Sequence, residues 1–185
     1  MASRSISESC AFLTQRLSVG PWHSAAGEYG IDLNEAVAAI LTPNTTGALP
    51  AAWRGDYSLD RARRWVVERD GEFPTLLVVL RSSSEPVGLM LLHEEGNGGG
   101  GLTHLRIGYV ISDSRWGEGI ASELVDGLVD WARSQPNVGS IRAGVEPQNA
   151  ASVRVLIRNG FRLSGRDPAE ETDTYQLELR SLRPS

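Results

Sequence analysis

A strand, a helix and a second strand follow one another between residues 103 and 145, and this order restricts the fold more than any other feature. Apolar residues alternate along 103–111, as they do in a strand whose two faces meet different surroundings. Helical spacing then relates the apolar residues of 117–134, namely Ile120, Ala121, Leu124, Val125, Leu128, Val129 and Ala132. A second β-rich run covers 140–145. Two strands joined by one helix pair in parallel through a right-handed crossover, so this unit predicts a sheet with helices packed on it.

The segments on either side of this unit add further elements. Strands are predicted at 13–17, 75–81, 86–93, 161–164 and 172–179, with a hairpin turn at 82–85. Helices are predicted at 33–41, 59–71 and 150–159, and loops at 22–30, 42–57 and 94–101. The prediction is an α/β (α+β) fold with one mixed sheet of roughly six to seven strands and about four helices. We expect one domain over residues 1–185, with its core at about 11–180.

Charge and composition argue against several functional classes. The formal net charge is −5, which gives no support to a nucleic-acid partner, although a local basic pocket remains compatible with it. Cys10 is the one cysteine, so an intramolecular disulfide and a cysteine-based metal site are both excluded. No two histidines have helical i, i+4 spacing, and the apolar run at 87–92 is too short to span a bilayer. We therefore expect a cytoplasmic protein with no metal and no membrane partner.

The turn between the strand at 103–111 and the long helix is a candidate anion site. Its sequence is Arg115-Trp116-Gly117-Glu118-Gly119-Ile120-Ala121. The first turn of a helix has backbone N–H groups without intrahelical partners and carries the positive end of the helix dipole. Glycines allow an anionic group such as a pyrophosphate to approach, and Arg115 adds a charge. A tight turn without a ligand is the simpler alternative. The spacing lacks the third glycine of a dinucleotide fingerprint, which disfavours a nucleotide-dependent oxidoreductase.

Several further motifs accompany this turn. The turn itself resembles the pattern Gln/Arg-x-x-Gly-x-Gly/Ala, and Asn149-Ala-Ala-Ser152 is followed by Asn159-Gly160-Phe161. Ile107-Gly108-Tyr109-Val110 and the stretch from Leu49-Pro50 to Tyr57-Ser58-Leu59 complete the set. Together these motifs resemble the GNAT superfamily of N-acetyltransferases, in its ribosomal-protein acetyltransferase (RimJ/RimL-like) branch. The similarity extends over roughly residues 11–180.

The resemblance implies a GNAT-like acyl-CoA N-acyltransferase fold whose sheet is splayed between 103–111 and 140–145, with acetyl-CoA in the opening. It implies that an amine attacks the thioester directly in a ternary complex, without an acyl-enzyme. The cofactor-binding residues that it implies are Tyr109, Val110, Ile111, Arg115, Trp116, Gly117, Glu118, Gly119, Ile120, Ala121, Asn149 and Ser152. Asn149 also fits a helix N-cap, and Ser152 an ordinary residue of a first helical turn.

The residues for proton transfer depart from the family pattern. Relatives often carry a glutamate at the position of Arg106, and arginine does not accept a proton. His104, on the same face of the strand, and Glu146, at the end of the neighbouring strand, are candidate bases. Relatives often place a tyrosine acid in the helix at 150–159, and here Ser152 is the candidate substitute.

The sequence does not identify the acceptor molecule. Arg106, Trp53 and Tyr57 are candidate substrate-binding residues, although the two aromatic residues equally fit packing roles. A site without a strong base favours a low-pKa amine, such as a protein N-terminal α-amine or a small-molecule amine. The alternative function is a catalytically silent acyl-CoA-binding sensor or regulatory module. We expect a monomer or a homodimer.

Overall fold

The computed structural model describes residues 6–96, 101–169 and 171–180. Its strands are β1 (Phe12–Leu13), β2 (Leu17–Pro21), β3 (Thr75–Leu80), β4 (Glu85–Glu95), β5 (Thr103–Ile111), β6 (Val138–Val145), β7 (Arg162–Asp167) and β8 (Thr172–Glu178). Its α-helices are α1 (Trp22–Tyr29), α2 (Leu33–Ile40), α3 (Pro43–Thr46), α4 (Leu59–Asp70), α5 (Ile120–Ser134) and α6 (Ala150–Arg158). Short 3₁₀ turns lie at Ser7–Ser9, Ala51–Trp53 and Asp113–Arg115.

All eight strands form one sheet in the order β1-β2-β3-β4-β5-β6-β8-β7. Every neighbouring pair is antiparallel except β5 and β6, which are parallel and flank α5 in the sequence. The predicted mixed α/β fold is therefore confirmed. The strand count is eight rather than six to seven, because the predicted strand at 13–17 is two short strands. The described residues hold six α-helices rather than about four.

Two predicted loops contain helices. Residues 22–30 form α1, which buries Trp22, Ala25 and Ala26 and ends at Gly30, where the backbone φ is 66°. Its helical periodicity is weak because only these three of its eight residues are buried. Residues 42–57 hold α3, which begins with a capping box between Thr42 and Thr45. The predicted loop at 94–101 includes residues 97–100, which lie outside the described residues.

The sheet separates two hydrophobic cores. One face of β5 contributes Leu105, Ile107 and Ile111 to a core that includes the apolar stripe of α5 and Leu156 of α6. Val110, on the opposite face, belongs to a core formed with α1, α2 and α4. The alternation in the sequence of β5 thus reflects two helical layers, one on each side of the sheet.

The sheet opens between its two parallel strands. Pairing of β5 with β6 ends at Ile107↔Ala143. Beyond that point β5 continues to pair with β4 as far as Ile111, and β6 continues to pair with β8 as far as Val145. The last residues of β5 and β6 therefore diverge, each held by its other neighbour. This is the splayed sheet that the family resemblance implied.

Candidate active site

A cleft of about 1910 Å³ lies at the opening between β5 and β6. It is larger than a typical small-molecule pocket of about 300–1,000 Å³. Among its described lining residues, six arginines outnumber two glutamates: Arg54, Arg106, Arg115, Arg154, Arg158 and Arg166 against Glu146 and Glu171. The cleft is therefore basic although the whole chain has a net charge of −5. Such a cleft favours an anionic ligand.

The turn before α5 lines this cleft and is built on two glycines in the left-handed region. The φ angles are 81° at Gly117 and 78° at Gly119, which is the N-cap residue of α5. No described side chain caps this helix end, and residues 116–119 are exposed. The helix begins at Ile120 rather than at residue 117 as predicted, because the two left-handed glycines cannot continue a right-handed helix. The first-turn N–H groups are thus left available to an anion.

Arg115 and Trp116 fix this turn to the sheet. The Arg115 guanidinium binds the Glu85 carboxylate, with Nε donating to Oε1 over 3.2 Å, and lies 3.6 Å from Oε1 of Glu118. Glu85 raises the pKa of Arg115 further, so the guanidinium stays charged and paired. The Trp116 indole donates to the Ile111 carbonyl oxygen over 2.9 Å, and its side chain is otherwise largely exposed. Both residues line the cleft, but their polar groups bind protein atoms.

The turn between β1 and β2, the N-terminal hairpin, is hydrogen-bonded to the start of α5. Glu123 accepts hydrogen bonds from Thr14 Oγ1 at 2.6 Å, Arg16 N at 2.8 Å and Arg16 Nε at 2.6 Å. Arg16 Nη1 also donates to the Glu118 carbonyl oxygen over 3.0 Å. Burial alone would raise the pKa of Glu123, but the hydrogen bonds from Thr14 and Arg16 outweigh it and lower that pKa. These contacts hold the candidate anion-binding turn in place.

Asn149 and Ser152 form the α6 side of the cleft. The Asn149 side chain caps α6 by accepting a hydrogen bond from Ser152 N over 3.1 Å, which confirms the prediction that Asn149 is a helix N-cap. Tyr109, from the end of β5, lines the same cleft, and its hydroxyl is buried without a hydrogen-bond partner among the described residues. Burial raises the pKa of Tyr109, and the side chain of Ser152 partly counteracts this effect. A buried hydroxyl without a partner is a donor that a ligand can satisfy.

The candidate bases occupy different places. Glu146 lines the cleft, but its carboxylate accepts from Arg54 Nη2 at 2.7 Å and from Gln148 Nε2 at 3.0 Å. His104 is not among the described residues that line the cleft, and its Nδ1 lies 2.7 Å from Ser140 Oγ. The structure therefore brings Glu146 to the opening as an ion pair with Arg54 and leaves His104 outside the cleft lining. Which group acts as base stays a prediction.

Arg106 lies at the opening itself. It lines the large cleft and also a small adjoining pocket of about 140 Å³ that includes Arg142 and Glu95. A Cβ atom placed on Gly144, the β6 residue directly after the last β5–β6 pair, would lie 3.7 Å from Arg106 Nη2. The guanidinium therefore reaches across from β5 to β6 where the strands separate.

The two aromatic candidates differ in position. Trp53 lines the cleft, whereas Tyr57 does not. The Tyr57 ring is buried, its hydroxyl donates to the Trp53 carbonyl oxygen over 3.0 Å, and the Arg61 guanidinium lies 4.1 Å from its ring centroid. Tyr57 thus supports the loop that carries Trp53, in agreement with the packing role that the sequence also allowed for it.

The loop before α4 is attached to both sides of the opening. Arg54 binds Glu146 at the end of β6. Thr42 Oγ1 and Asn44 Nδ2 donate to Asp113 Oδ2, after β5, over 3.2 and 3.0 Å. The hydrogen bond from Asn44 is the largest influence on the pKa of Asp113, which is lowered. Sequence reasoning missed this role of Arg54 because the two partners are 92 residues apart.

Sequence reasoning also missed three arginines of the cleft, namely Arg154, Arg158 and Arg166. The first two are four residues apart in α6 and therefore lie on one face of the helix, which was an available signal. Arg166 lies in β7, and no sequence pattern indicated its position in the cleft.

No cluster of three or more metal-binding side chains occurs within 6–96, 101–169 and 171–180. Over the same described ranges, no helix has the length and apolar character needed to cross a membrane.

Comparisons with known proteins agree with this geometry. The model of the acetyltransferase (GNAT) domain family matches residues 29–162. The uncharacterized N-acetyltransferase p20 of Bacillus licheniformis is 29% identical over 100 residues, which are 52% of this chain and 52% of p20. The chain thus spans about half the length of this relative.

Two solved structures show the same fold. A GNAT-family acetyltransferase from Bacillus anthracis superposes with a TM-score of 0.70 at 21% identity, covering 90% of this chain and 96% of the other. The ribosomal-protein-S5-alanine acetyltransferase of Vibrio fischeri superposes with a TM-score of 0.62 at 17% identity, covering 95% and 100%.

Proposed function

The chain belongs to the GNAT acetyltransferase family, and we propose that it transfers an acetyl group from acetyl-CoA to a primary amine. The observation that carries this proposal is the basic cleft at the β5–β6 opening, with an exposed, uncapped helix N-terminus at one end. An acyl-CoA has phosphates that an uncapped helix N-terminus can bind, and its long pantetheine arm needs a cleft as large as this one. Acetyl-CoA would supply the activated acetyl thioester.

The residues that would hold the cofactor fall into two groups. The N–H groups of 117–121 would bind its pyrophosphate, and Arg154 and Arg158 would supply positive charge on the α6 side. The β5 residues after Ile107 have no strand partner on the β6 side, so their backbone groups that face β6 are available to an extended arm, except the Ile111 carbonyl oxygen, which accepts from Trp116. We assign Tyr109, Val110 and Ile111 to this role. Asn149 contributes to the same wall while capping α6.

The leaving thiolate needs a proton donor in place of the tyrosine that α6 lacks. Ser152 lines the cleft, and the buried hydroxyl of Tyr109 lies close enough for the Ser152 side chain to lower its pKa. A hydroxyl whose pKa is raised by burial stays protonated at neutral pH and can donate. We propose that these two side chains supply the proton, with Tyr109 as the donor and Ser152 beside it.

The acceptor is proposed to be an α-amine or another amine of low pKa. Arg106 cannot act as a base, and the Glu146 carboxylate is engaged by Arg54. A general base contributes about 10²–10⁴-fold, whereas positioning the amine against the thioester contributes about 7–11 kcal/mol. Transfer without a strong base is therefore feasible when the amine is partly neutral. An α-amine with a pKa of about 8 is roughly a tenth neutral at pH 7, whereas a lysine side chain is neutral below about a thousandth.

A protein N-terminus is one acceptor of this kind. The Vibrio fischeri structure is described as a ribosomal-protein-S5-alanine acetyltransferase, and the motifs around Asn149 and Phe161 support our proposal that this chain belongs to the RimJ/RimL-like branch. A small-molecule α-amine satisfies the same chemistry. We further propose a single domain over 1–185 that acts in the cytoplasm as a monomer or a homodimer.

Thiol release from acetyl-CoA in the presence of amines tests the function. Alaninamide presents an α-amine and Nα-acetyl-lysinamide an ε-amine, so the pair compares two basicities. We expect release with alaninamide and a lower rate with the lysine derivative at pH 7. CoA binding without thiol release for any amine would instead support the alternative, a catalytically silent acyl-CoA sensor. A clear preference for the ε-amine would refute the low-pKa acceptor.

A further inference from the structure

We propose that the acceptor carries an aromatic ring beyond its amine, and that this ring binds to an aromatic wall formed by Trp53, Phe73 and His93. This inference rests on the proposed function and specifies the substrate class of the same site. All three side chains line the cleft. Ring centroids lie 6.5 Å apart for Trp53 and Phe73 and 6.4 Å apart for Phe73 and His93. The three rings therefore form one continuous surface rather than isolated contacts.

The aromatic wall lies beside the point where the sheet opens. In the β4–β5 register, His93 pairs with Arg106 and Leu91 with Gly108. Ile107, between these two β5 residues, is the last one that pairs with β6. A molecule on the wall is thus within reach of the opening.

The aromatic wall and the proposed cofactor groups are on opposite sides of the sheet. Trp53 and Phe73 pack with the core that contains α4, whereas the stripe of α5 and Leu156 of α6 belong to the other core. A cofactor held by α5 and α6 and an acceptor held by the wall would therefore approach the opening from two different faces. This arrangement leaves the wall free for the acceptor.

The Trp53 ring is held in place from behind. Arg69 is only 3% exposed, and its guanidinium carbon lies 4.5 Å from the Trp53 ring centroid. Arg69 is itself fixed by Glu72, whose Oε1 lies 2.8 Å from Nη2. Trp65 is nearly perpendicular to Trp53, with centroids 5.9 Å apart and an angle of 89°. A ring immobilised by its neighbours loses little conformational entropy when a ligand binds to its remaining surface.

The charges around the wall select against a second cation on the acceptor. Arg69 lies directly behind Trp53, and Arg54 and Arg106 line the same cleft. The three side chains of the wall include no carboxylate that could pair with a positively charged side chain on the acceptor, and Glu146 and Glu72 are already paired with Arg54 and Arg69. An uncharged ring instead gains offset or edge-to-face contacts with the wall. The substrate class is therefore an arylalkyl α-amine, either as a small molecule or as a peptide whose first residue is aromatic.

Phenylalaninamide and alaninamide provide the test, because both present an α-amine beside an amide and make similar demands on the base. We expect the wild-type chain to show a kcat/KM about tenfold or more higher for phenylalaninamide, measured by thiol release. Trp53→Leu should abolish this preference by raising KM for phenylalaninamide, with KM for acetyl-CoA unchanged within about twofold. Trp53→Phe should retain part of it. Trp131→Leu, on α5 and away from the cleft lining, is the matched control and should change neither constant.

The possible outcomes distinguish a failure of the aromatic-wall inference from a failure of the proposed function. Thiol release with equal kcat/KM for the two amides overturns the aromatic wall and leaves the acetyltransferase function standing. A preference that survives in Trp53→Leu also overturns it. Absence of release with every amine, while CoA still binds, refutes the proposed function and with it this inference. Should Trp53→Leu fail to fold in a thermal melt, Phe73→Leu carries the same expectation and the same refuting result.

Discussion

Replacing Gly117 by alanine tests whether the left-handed turn before α5 holds the cofactor. A Cβ atom at this position meets no heavy atom within 4 Å, so the substitution causes no steric clash with neighbouring residues. Its cost arises from the φ of 81°, which disfavours any L-residue with a side chain by about 1–2 kcal/mol. Gly117 itself is exposed, and the contacts that hold the turn are made by Arg115, Trp116 and Glu118, so we expect the backbone at 117 to relax to an ordinary conformation in the free protein. The cofactor must then restore the turn when it binds.

Restoring the turn should raise KM for acetyl-CoA by about 5- to 30-fold, the equivalent of about 1–2 kcal/mol. Initial rates of thiol release at saturating amine measure this constant, and isothermal titration with CoA measures affinity directly. Gly30→Ala is the matched control: its φ is 66°, its surroundings are equally open, and it ends α1 outside the cleft lining. We expect this control to lose stability but to leave KM unchanged. An unchanged KM in Gly117→Ala, or an equal rise in both variants, would refute the placement of the cofactor at this turn.

Two further predictions concern stability and proton transfer. The lowered pKa of Glu123 means that its contacts stabilise the fold above the ordinary value of 4.5 and lose this effect as pH falls through the folded-state value. Glu123→Gln should therefore lower the free energy of unfolding at pH 7 by about 1–2 kcal/mol in urea titrations, and the difference should shrink below about pH 4. An equal loss at all pH values would contradict the ionic contribution. Tyr109→Phe removes a buried hydroxyl without a partner, so we expect unchanged or higher thermal stability with kcat lowered about 100-fold. An unchanged kcat would show that Tyr109 does not donate the proton.

Local periodicity accounts for what the sequence predicted well. The alternation of β5 and the double stripe of α5 are repeated over 9 and 15 residues, so both elements and their parallel connection could be inferred. Asn149 could be identified as a cap because capping depends on residues only three apart. The helix α1 was missed, since its short buried face of Trp22, Ala25 and Ala26 gives little periodic signal.

Long-range partners account for what the sequence could not predict. Arg115 was expected to face a phosphate, but Glu85, 30 residues earlier, binds its guanidinium. Glu146 was a candidate base, and its pairing with Arg54 depends on how the loop before α4 crosses the opening. The spacing of neighbouring residues in the sequence indicates neither of these two ion pairs. The residue types were therefore recognisable as functional candidates, whereas their electrostatic state required the fold.

The contact between Glu123 and the N-terminal hairpin has a consequence for how the protein folds during its synthesis. Arg16 leaves the ribosome 107 residues before its partner, which at about 5–20 residues per second is a delay of roughly 5–20 s. During that interval β1 and β2 have no helix α5 against which to dock. The turn that we assign to the cofactor therefore acquires its final support only when the two ends of this long chain segment meet. A nascent chain released before α5 is complete would carry β1 to β5 but not β6, β7 and β8, and the proposed anion site would not yet be formed.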